Sequence, residues 1–427
     1  MLSKEVNDLL TQTGPEAPMG RMFRRYWIPA LLARELPEDD SPPVRVKLLG
    51  ERLVAFRDSR GRYGLMDEFC AHRGVSLWFG RNEEGGLRCP YHGWKYDVTG
   101  QCLEVPSEPE ESGFSGKIKL KAYPLVRIGD VLWTHMGEKD DRPPLPEWEF
   151  ALVPAEQTYT SKRWQESNWL QAMEGGIDSS HVSFLHSGSL KTDPLFKGAK
   201  GNQYNAQDKK PVFEVTDAPG GLFIGARRNA EDGYYWRITP WVMPSFTMVP
   251  PRGDHPVHGH FWVPIDDENC WAWSFDFHPT RALTPEERQS MEDGFGVHNQ
   301  YVPGTFRPRQ NKDNDYLMDR DAQRRGETYS GIWGIAMQDA SLQESMGPIV
   351  DWTRENLVST DNGIIMARHR LKKAVQAMLK TGAQPPGRDP AHQRVRSVAA
   401  VLPKDAAFAE ACREDLTVRP GVRQTSV

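Results

Sequence analysis

At 427 residues the chain is longer than one small domain needs, and two domains, each with its own core, are expected. A formal net charge of −5 gives no support for a nucleic-acid partner, and five cysteines suit a reduced cytoplasm better than a disulfide scaffold. The start, MLSKEVNDLL, lacks a signal-peptide pattern and no apolar run approaches a membrane span, so a cytoplasmic protein without a membrane partner is expected.

In chain order, residues 1–23 read as a polar lead-in with one short helix, Glu5 to Leu10. Residues 24–140 read as β. Val44, Val46 and Leu48 alternate with Arg45 and Lys47, the period of a half-buried strand. Asp58-Ser-Arg-Gly61 turns the chain into a strand at Tyr63–Met66, and Gly129-Asp130 closes a hairpin. Residues 141–150, DRPPLPEWEF, have a linker composition. Residues 151–382 are mixed. A helix is predicted over Trp164–Glu174, broken or bent at Gly175-Gly176, with strands between 211 and 280 and a helix from Pro285. A long helix follows from about 361 to 381, closed by Gly382. Residues 383–427, rich in Pro, Arg and Ala, read as a weakly structured tail.

Two constellations carry chemistry. Cys70-Ala-His72 and, after sixteen residues, Cys89-Pro-Tyr-His92 fall between the N-terminal strands. Each pair can present a thiolate and an imidazole from one tight loop. Two sulfur and two nitrogen ligands suit a [2Fe–2S] cluster with Cys on one iron and His on the other, or a tetrahedral zinc. Gly74 and Gly93 let the backbone come close to a bulky inorganic core. The second constellation is Asp178, His181 and His186. Histidines five apart on a straight helix point about 140° from each other, so both reach one metal only if the helix ends between them. Ser187-Gly188 is a suitable stop, and Asp178, three residues before His181, can hold its ring. Two histidines and a carboxylate with open positions suit non-haem Fe(II), whereas an isolated pair reads as two metal-free helix-end residues. Neither a GxGxxG turn nor a four-cysteine ferredoxin set is present, so electrons must come from a separate protein.

The string CAHRG…CPYHGWKYD resembles the Rieske signature of ring-hydroxylating oxygenases. The segments Asn168–His186 and Gln343–Leu371 resemble the mononuclear-iron region of the phthalate dioxygenase group of that family. The resemblance implies an α+β fold: an N-terminal all-β Rieske [2Fe–2S] domain, then an α+β catalytic domain with an antiparallel sheet and helices of the helix-grip type. It implies cluster ligands Cys70, His72, Cys89 and His92, and mononuclear Fe(II) ligands His181, His186 and Asp361. Spacing alone would not separate Asp361 from Asp351 or Glu355. Val75 and Tyr91 stand where respiratory Rieske proteins carry an extra cysteine pair, which implies a cluster held by packing. Asp178 takes the role of the aspartate that bridges a cluster histidine of one subunit to an iron histidine of its neighbour. A homotrimer or stacked hexamer follows, fed by a separate reductase of flavin and ferredoxin type.

Relatives of the phthalate group oxidise aromatic carboxylates, and a buried carboxylate needs charge-assisted donors. Arg252, in the turn Pro250-Pro-Arg-Gly253, is the first candidate for that contact, with Ser179 as a further donor and Lys209 and Lys210 as weaker ones. His255, His258 and His260 read as structural, and Arg368–Lys373 as a solvated helix face. The expected function is a terminal oxygenase that cis-dihydroxylates a monocyclic aromatic carboxylate such as a phthalate isomer, using O2. A monooxygenase that removes a methyl or opens an aryl ether is the alternative. The second constellation argues against an electron carrier without catalytic iron, and a colourless purified protein would favour a zinc-stabilised binding protein.

Overall fold

The computed structural model describes residues 2–427. Its N-terminal strands are β1 (Trp27–Leu32), β2 (Val44–Leu48), β3 (Glu51–Arg57), β4 (Tyr63–Asp67), β5 (Arg81–Glu83), β6 (Gly86–Arg88), β7 (Lys95–Tyr96), β8 (Cys102–Glu104), β9 (Ala122–Ile128) and β10 (Val131–His135). They form a six-stranded sheet in the order β1-β10-β9-β4-β3-β2 and a four-stranded sheet β5-β6-β7-β8. The alternation in β2 does what its pattern predicts: Val46 and Leu48 are buried while Arg45 and Lys47 face outward. The turn before β4 is held by Asp58, whose carboxylate accepts from Arg60 N and Arg62 N at 3.0 and 2.9 Å.

The second half is built on β11 (Thr158–Gln165), β12 (Val212–Ala218), β13 (Gly221–Asn229), β14 (Tyr234–Val242), β15 (Phe246–Met248), β16 (Val257–Pro264), β17 (Cys270–Phe277) and β18 (Val398–Leu402). The sheet runs β11-β17-β16-β15-β14-β13-β12, antiparallel throughout, with β18 also paired to β14. Helices Trp169–Ile177 and Ile335–Ser345 pack on each other, and the first packs on β16. Helix Asn362–Thr381 lies against β12 and β13 and closes at Gly382, whose φ of 71° is open to glycine at little cost.

Four expectations need correction. Trp164 belongs to β11, and the following helix begins only at Trp169, where the Asn168 side chain caps Leu170 N at 3.0 Å. That helix is not broken at Gly175-Gly176 but runs to Ile177, because the missing side chains allow close packing. A Cβ on Gly176 would lie 2.2 Å from the Trp262 ring. The C-terminal segment is not a loose tail: β18 adds to the sheet in register, Tyr234 opposite Leu402 through Ile238 opposite Val398. Nor does the N-terminus merely lead in. Helices Lys4–Thr11 and Pro18–Phe23 dock on the second half, where Trp169 Nε1 donates to Leu10 O at 3.2 Å and Phe23 meets the Trp169 ring edge-on.

One apolar core runs through both halves. The 141–150 segment feeds it, Trp148 against Phe246 and Phe150 stacked on Phe275 with centroids 3.9 Å apart. Lys162 of β11 forms a buried ion pair with Glu35 at 2.6 Å, tying the domains together. Among the described residues no helix is long and apolar enough to cross a membrane.

Candidate active site

The Cys70-x-His72 and Cys89-x2-His92 loops fold alike. Cys70 N–H donates to Val75 O and Gly74 N–H to Cys70 O, both at 2.9 Å. Cys89 N–H donates to Trp94 O at 2.8 Å and Gly93 N–H to Cys89 O at 3.0 Å. Gly74 and Gly93 close these turns at φ 73° and 76°, the left-handed region that disfavours a side chain. The result buries both thiols and leaves His72 exposed and His92 half-buried at the tip, ring centroids 4.5 Å apart, with His72 stacked on Trp94. Cys70 Sγ is 3.2 Å from Tyr96 Oη. Burial pushes the Cys89 thiol up, opposed by the Tyr91 and His92 backbone N–H groups aimed at its sulfur. Buried sulfurs receiving hydrogen bonds, beside two paired imidazoles at the surface, fit a Rieske [2Fe–2S] cluster.

The second site forms where helix Trp169–Ile177 ends. Asp178 leaves the helix, and His181 and His186 follow on a short 3-10 turn and the irregular chain behind it. This break in the helix removes the angular mismatch of the two rings. Their Nε2 atoms lie 3.1 Å apart, and Asp339 Oδ1, from helix Ile335–Ser345, lies 3.5 and 3.2 Å from them. Each outer ring nitrogen has an acceptor. His181 Nδ1 is 3.0 Å from Asp178 Oδ2, and His186 Nδ1 is 2.8 Å from Gln338 Oε1. The Gln338 amide cannot turn round, since its Nε2 donates to Ile332 O at 3.0 Å and Ser189 Oγ at 3.1 Å. Both histidines therefore carry their proton on Nδ1 and turn the Nε2 lone pair inward. Two lone pairs and a carboxylate oxygen in mutual contact repel one another without a cation, and two His and one carboxylate suit Fe(II). Burial works against the ionised Asp178, but hydrogen bonds from His181 and Ser180 prevail and hold its carboxyl at about 2.

Asp361 is not a member of this group. Its Oδ2 accepts from Val358 N at 2.7 Å, capping the turn that enters helix Asn362–Thr381, while the third carboxylate of the cluster is Asp339. Asp339 and Gln338 are absent from the sequence reading; the signal that could have raised them is an acid within an otherwise apolar stretch, GIWGIAMQDA.

Arg252 and Ser179 both line the pocket over the metal-binding group. Arg252 is buried over the Phe196 ring at 4.9 Å; burial, then the Arg237 charge, draws it down to about 9, so it remains a cation at neutral pH. Ser179 is held by buried Arg228, which donates to its carbonyl at 2.7 Å. Lys209 and Lys210 are exposed and outside the lining. His258 and His260, read as structural, also line the pocket; burial foremost keeps both neutral, His260 at about 3. Arg163 and Arg237 join them there, a role the sequence did not signal. Arg368 is not on a solvated face but buried between Glu174 and Glu355.

Residues 26–124 match the family described as "Rieske [2Fe-2S] domain", and residues 134–419 match "LigXa C-terminal domain like". The chain is 38% identical over 405 residues to the 3-chlorobenzoate-3,4-dioxygenase oxygenase subunit of Comamonas testosteroni, covering 92% of this chain and 93% of that one. It is 37% identical over 421 residues to the phthalate 4,5-dioxygenase oxygenase subunit of Pseudomonas putida, covering 95% and 93%. The crystal structure of dicamba monooxygenase with 3,6-dichlorosalicylic acid shares the fold, with a TM-score of 0.58, 17% identity, and coverage of 84% and 98%. The chain therefore belongs to the Rieske non-haem iron oxygenases of the phthalate dioxygenase group, oxidoreductases that carry a [2Fe–2S] cluster and a mononuclear iron.

Proposed function

We propose that this chain is the terminal oxygenase of a multi-component system and cis-dihydroxylates a monocyclic aromatic carboxylate. One observation carries the substrate class: Arg252 and Arg237, buried and without an ion-pair partner among the described residues, line the same pocket as His181, His186 and Asp339. A buried arginine fork with free donors is stable when an anion fills it. The relatives named for 3-chlorobenzoate and phthalate support the same class.

Cys70, His72, Cys89 and His92 would hold the cluster, and His181, His186 and Asp339 the iron. When bound, these groups supply single electrons and O2 activation. The protein does the rest. Arg252 and Arg237 fix the carboxylate and so the ring edge presented to the metal-binding group. Phe196, Val249, Trp262, Val297 and Ile335 wall the pocket and exclude water. Asp178 accepts the His181 Nδ1 proton and keeps that ring aligned. It remains one-fifth exposed, so a cluster histidine of a neighbouring subunit could reach it in a head-to-tail trimer or a stacked hexamer. A separate reductase completes the system.

A single-turnover assay tests this reading. Chemically reduced holoenzyme meets O2 and a mixture of benzoate, the benzenedicarboxylates, a phenoxybenzoate and a methoxybenzoate, with products read by mass. A diene diol from a carboxylate is expected. A phenol formed with loss of methyl or aryl would make the protein a monooxygenase instead. No product from protein loaded at both metal sites would refute the substrate class.

A further inference from the structure

Most deeply buried arginines of this protein have a visible partner. Arg24 pairs with Glu51, Arg368 with Glu174, Arg396 with Glu149, and Arg228 donates to Ser179 O and Asp208 O. Three do not. Arg163, Arg237 and Arg252 are at most 5% exposed, form no ion pair among the described residues, and leave Nε of all three and Nη1 of Arg163 and Arg237 without a hydrogen-bond partner. All three line the pocket above His181, His186 and Asp339. A buried charge is costly unless an opposite charge meets it, and three such arginines offer more charge than one carboxylate neutralises.

Their positions divide them into two centres. Strand alternation sends Lys162 toward Glu35 and its neighbour Arg163 to the pocket face of β11. Arg237 reaches in from β14, on the far side of β17, β16 and β15. Arg252, in the loop between β15 and β16, sits close enough to Arg237 for the two charges to act on each other and on His258. Arg163 acts instead on Asp339 of the metal-binding group and on His260, two residues further along β16 than His258, about 6.6 Å away at the usual strand rise. Arg163 and Arg237 enter from strands with three others between them, and one carboxylate cannot serve both.

We propose that the substrate carries two anionic groups set across the ring, in a 1,3 or 1,4 relation, with Arg237 and Arg252 receiving one and Arg163 the other. A 1,2-diacid holds its carboxylates side by side and leaves Arg163 unpaired. This inference rests on the aromatic-carboxylate reading above and narrows it.

Calorimetric binding to the oxidised holoenzyme tests it, with benzoate and the 1,2-, 1,3- and 1,4-benzenedicarboxylates as probes. The 1,3- or 1,4-isomer should bind at least about tenfold tighter than benzoate and the 1,2-isomer, the factor one charge-assisted hydrogen bond supplies. R163M should bring that ratio close to one and R163K should restore part of it, with the cluster absorption spectrum reporting that both variants fold. The wild-type ranking stands as a test even if R163M does not fold. Benzoate or the 1,2-isomer binding as tightly as the best diacid would overturn the proposal, as would an R163M variant that weakens all four acids equally. If the diacid binds as expected and no oxygenated product forms, the function above fails while the two-anion pocket stands. If benzoate is oxygenated and binds as tightly as any diacid, the function stands and the pocket reading falls.

Discussion

Replacing Gln338 with leucine should detach the mononuclear metal while leaving the fold and the cluster in place. Gln338 is fully buried and its Oε1 receives the His186 Nδ1 proton at 2.8 Å, with the amide locked by Ile332 O and Ser189 Oγ. Leucine fills a similar volume but accepts nothing. His186 then has two options. It can keep its Nδ1 proton without a partner, at about 1–3 kcal/mol for a buried orphan donor. Otherwise it moves the proton to Nε2, which removes the lone pair facing Asp339 and His181. Either route penalises the metal-bound state, and loss of such an orienting partner costs about 10–100-fold in metal affinity, or roughly 1.4–2.7 kcal/mol. The assay is chelator competition for Fe(II), counting iron beyond that of the cluster, with the visible spectrum of the cluster as internal control. Q338E, which keeps an acceptor at the same place, should hold iron at least as well as the wild type. Wild-type Fe(II) affinity in Q338L would refute the tautomer argument, and so would loss of cluster and mononuclear iron together.

Three further outcomes follow from the same geometry. D339N should lose mononuclear iron, measured by metal analysis, with the cluster spectrum intact; D361N should keep its iron and lose only about 0.3–1 kcal/mol of stability from the helix entry, and the reverse result would reinstate Asp361 as the ligand. R368M removes the cation between Glu174 and Glu355, leaving buried carboxylates uncompensated, so thermal denaturation should show a loss of about 3–5 kcal/mol. An unchanged Tm would mean that the pair is not formed. Asp58 is buried and, although burial alone would raise its pKa, hydrogen bonds from Arg62 and the backbone hold it below the ordinary value. A lowered folded-state pKa stabilises above the unfolded value of about 3.9 and is lost as pH falls through the folded one. The Tm difference between wild type and D58N should therefore be full at pH 6 and shrink in acid; a difference that grows in acid would contradict the sign.

Short-range spacing decided what it could by itself. Cys70-x-His72 and Cys89-x2-His92 each fold into a five-residue loop closed by its own glycine, so ligand type and loop geometry are both written locally. The Asp178–His181–His186 segment is nearly as local, since its partners meet within nine residues where one helix stops. The strand pattern of β2 and the Gly382 end of the long helix are likewise read from neighbours. The third carboxylate was different. Asp339 arrives from a helix more than 150 residues downstream, and local sequence cannot say whether it or Asp361 reaches the histidines, because both sit at helices with acceptable local roles. Gly176 reads as a helix breaker until Trp262 is placed against it. The 383–427 segment has a loose composition, yet β14 offers it an unpaired strand side and burial favours docking. Arg163, Arg237 and Arg252 are ordinary arginines in the sequence. Only the packed sheet shows that they are buried, that none of them forms an ion pair among the described residues, and that they line one cavity. Local order sets which groups a short loop can present; long-range burial decides which charges are left for a ligand to neutralise.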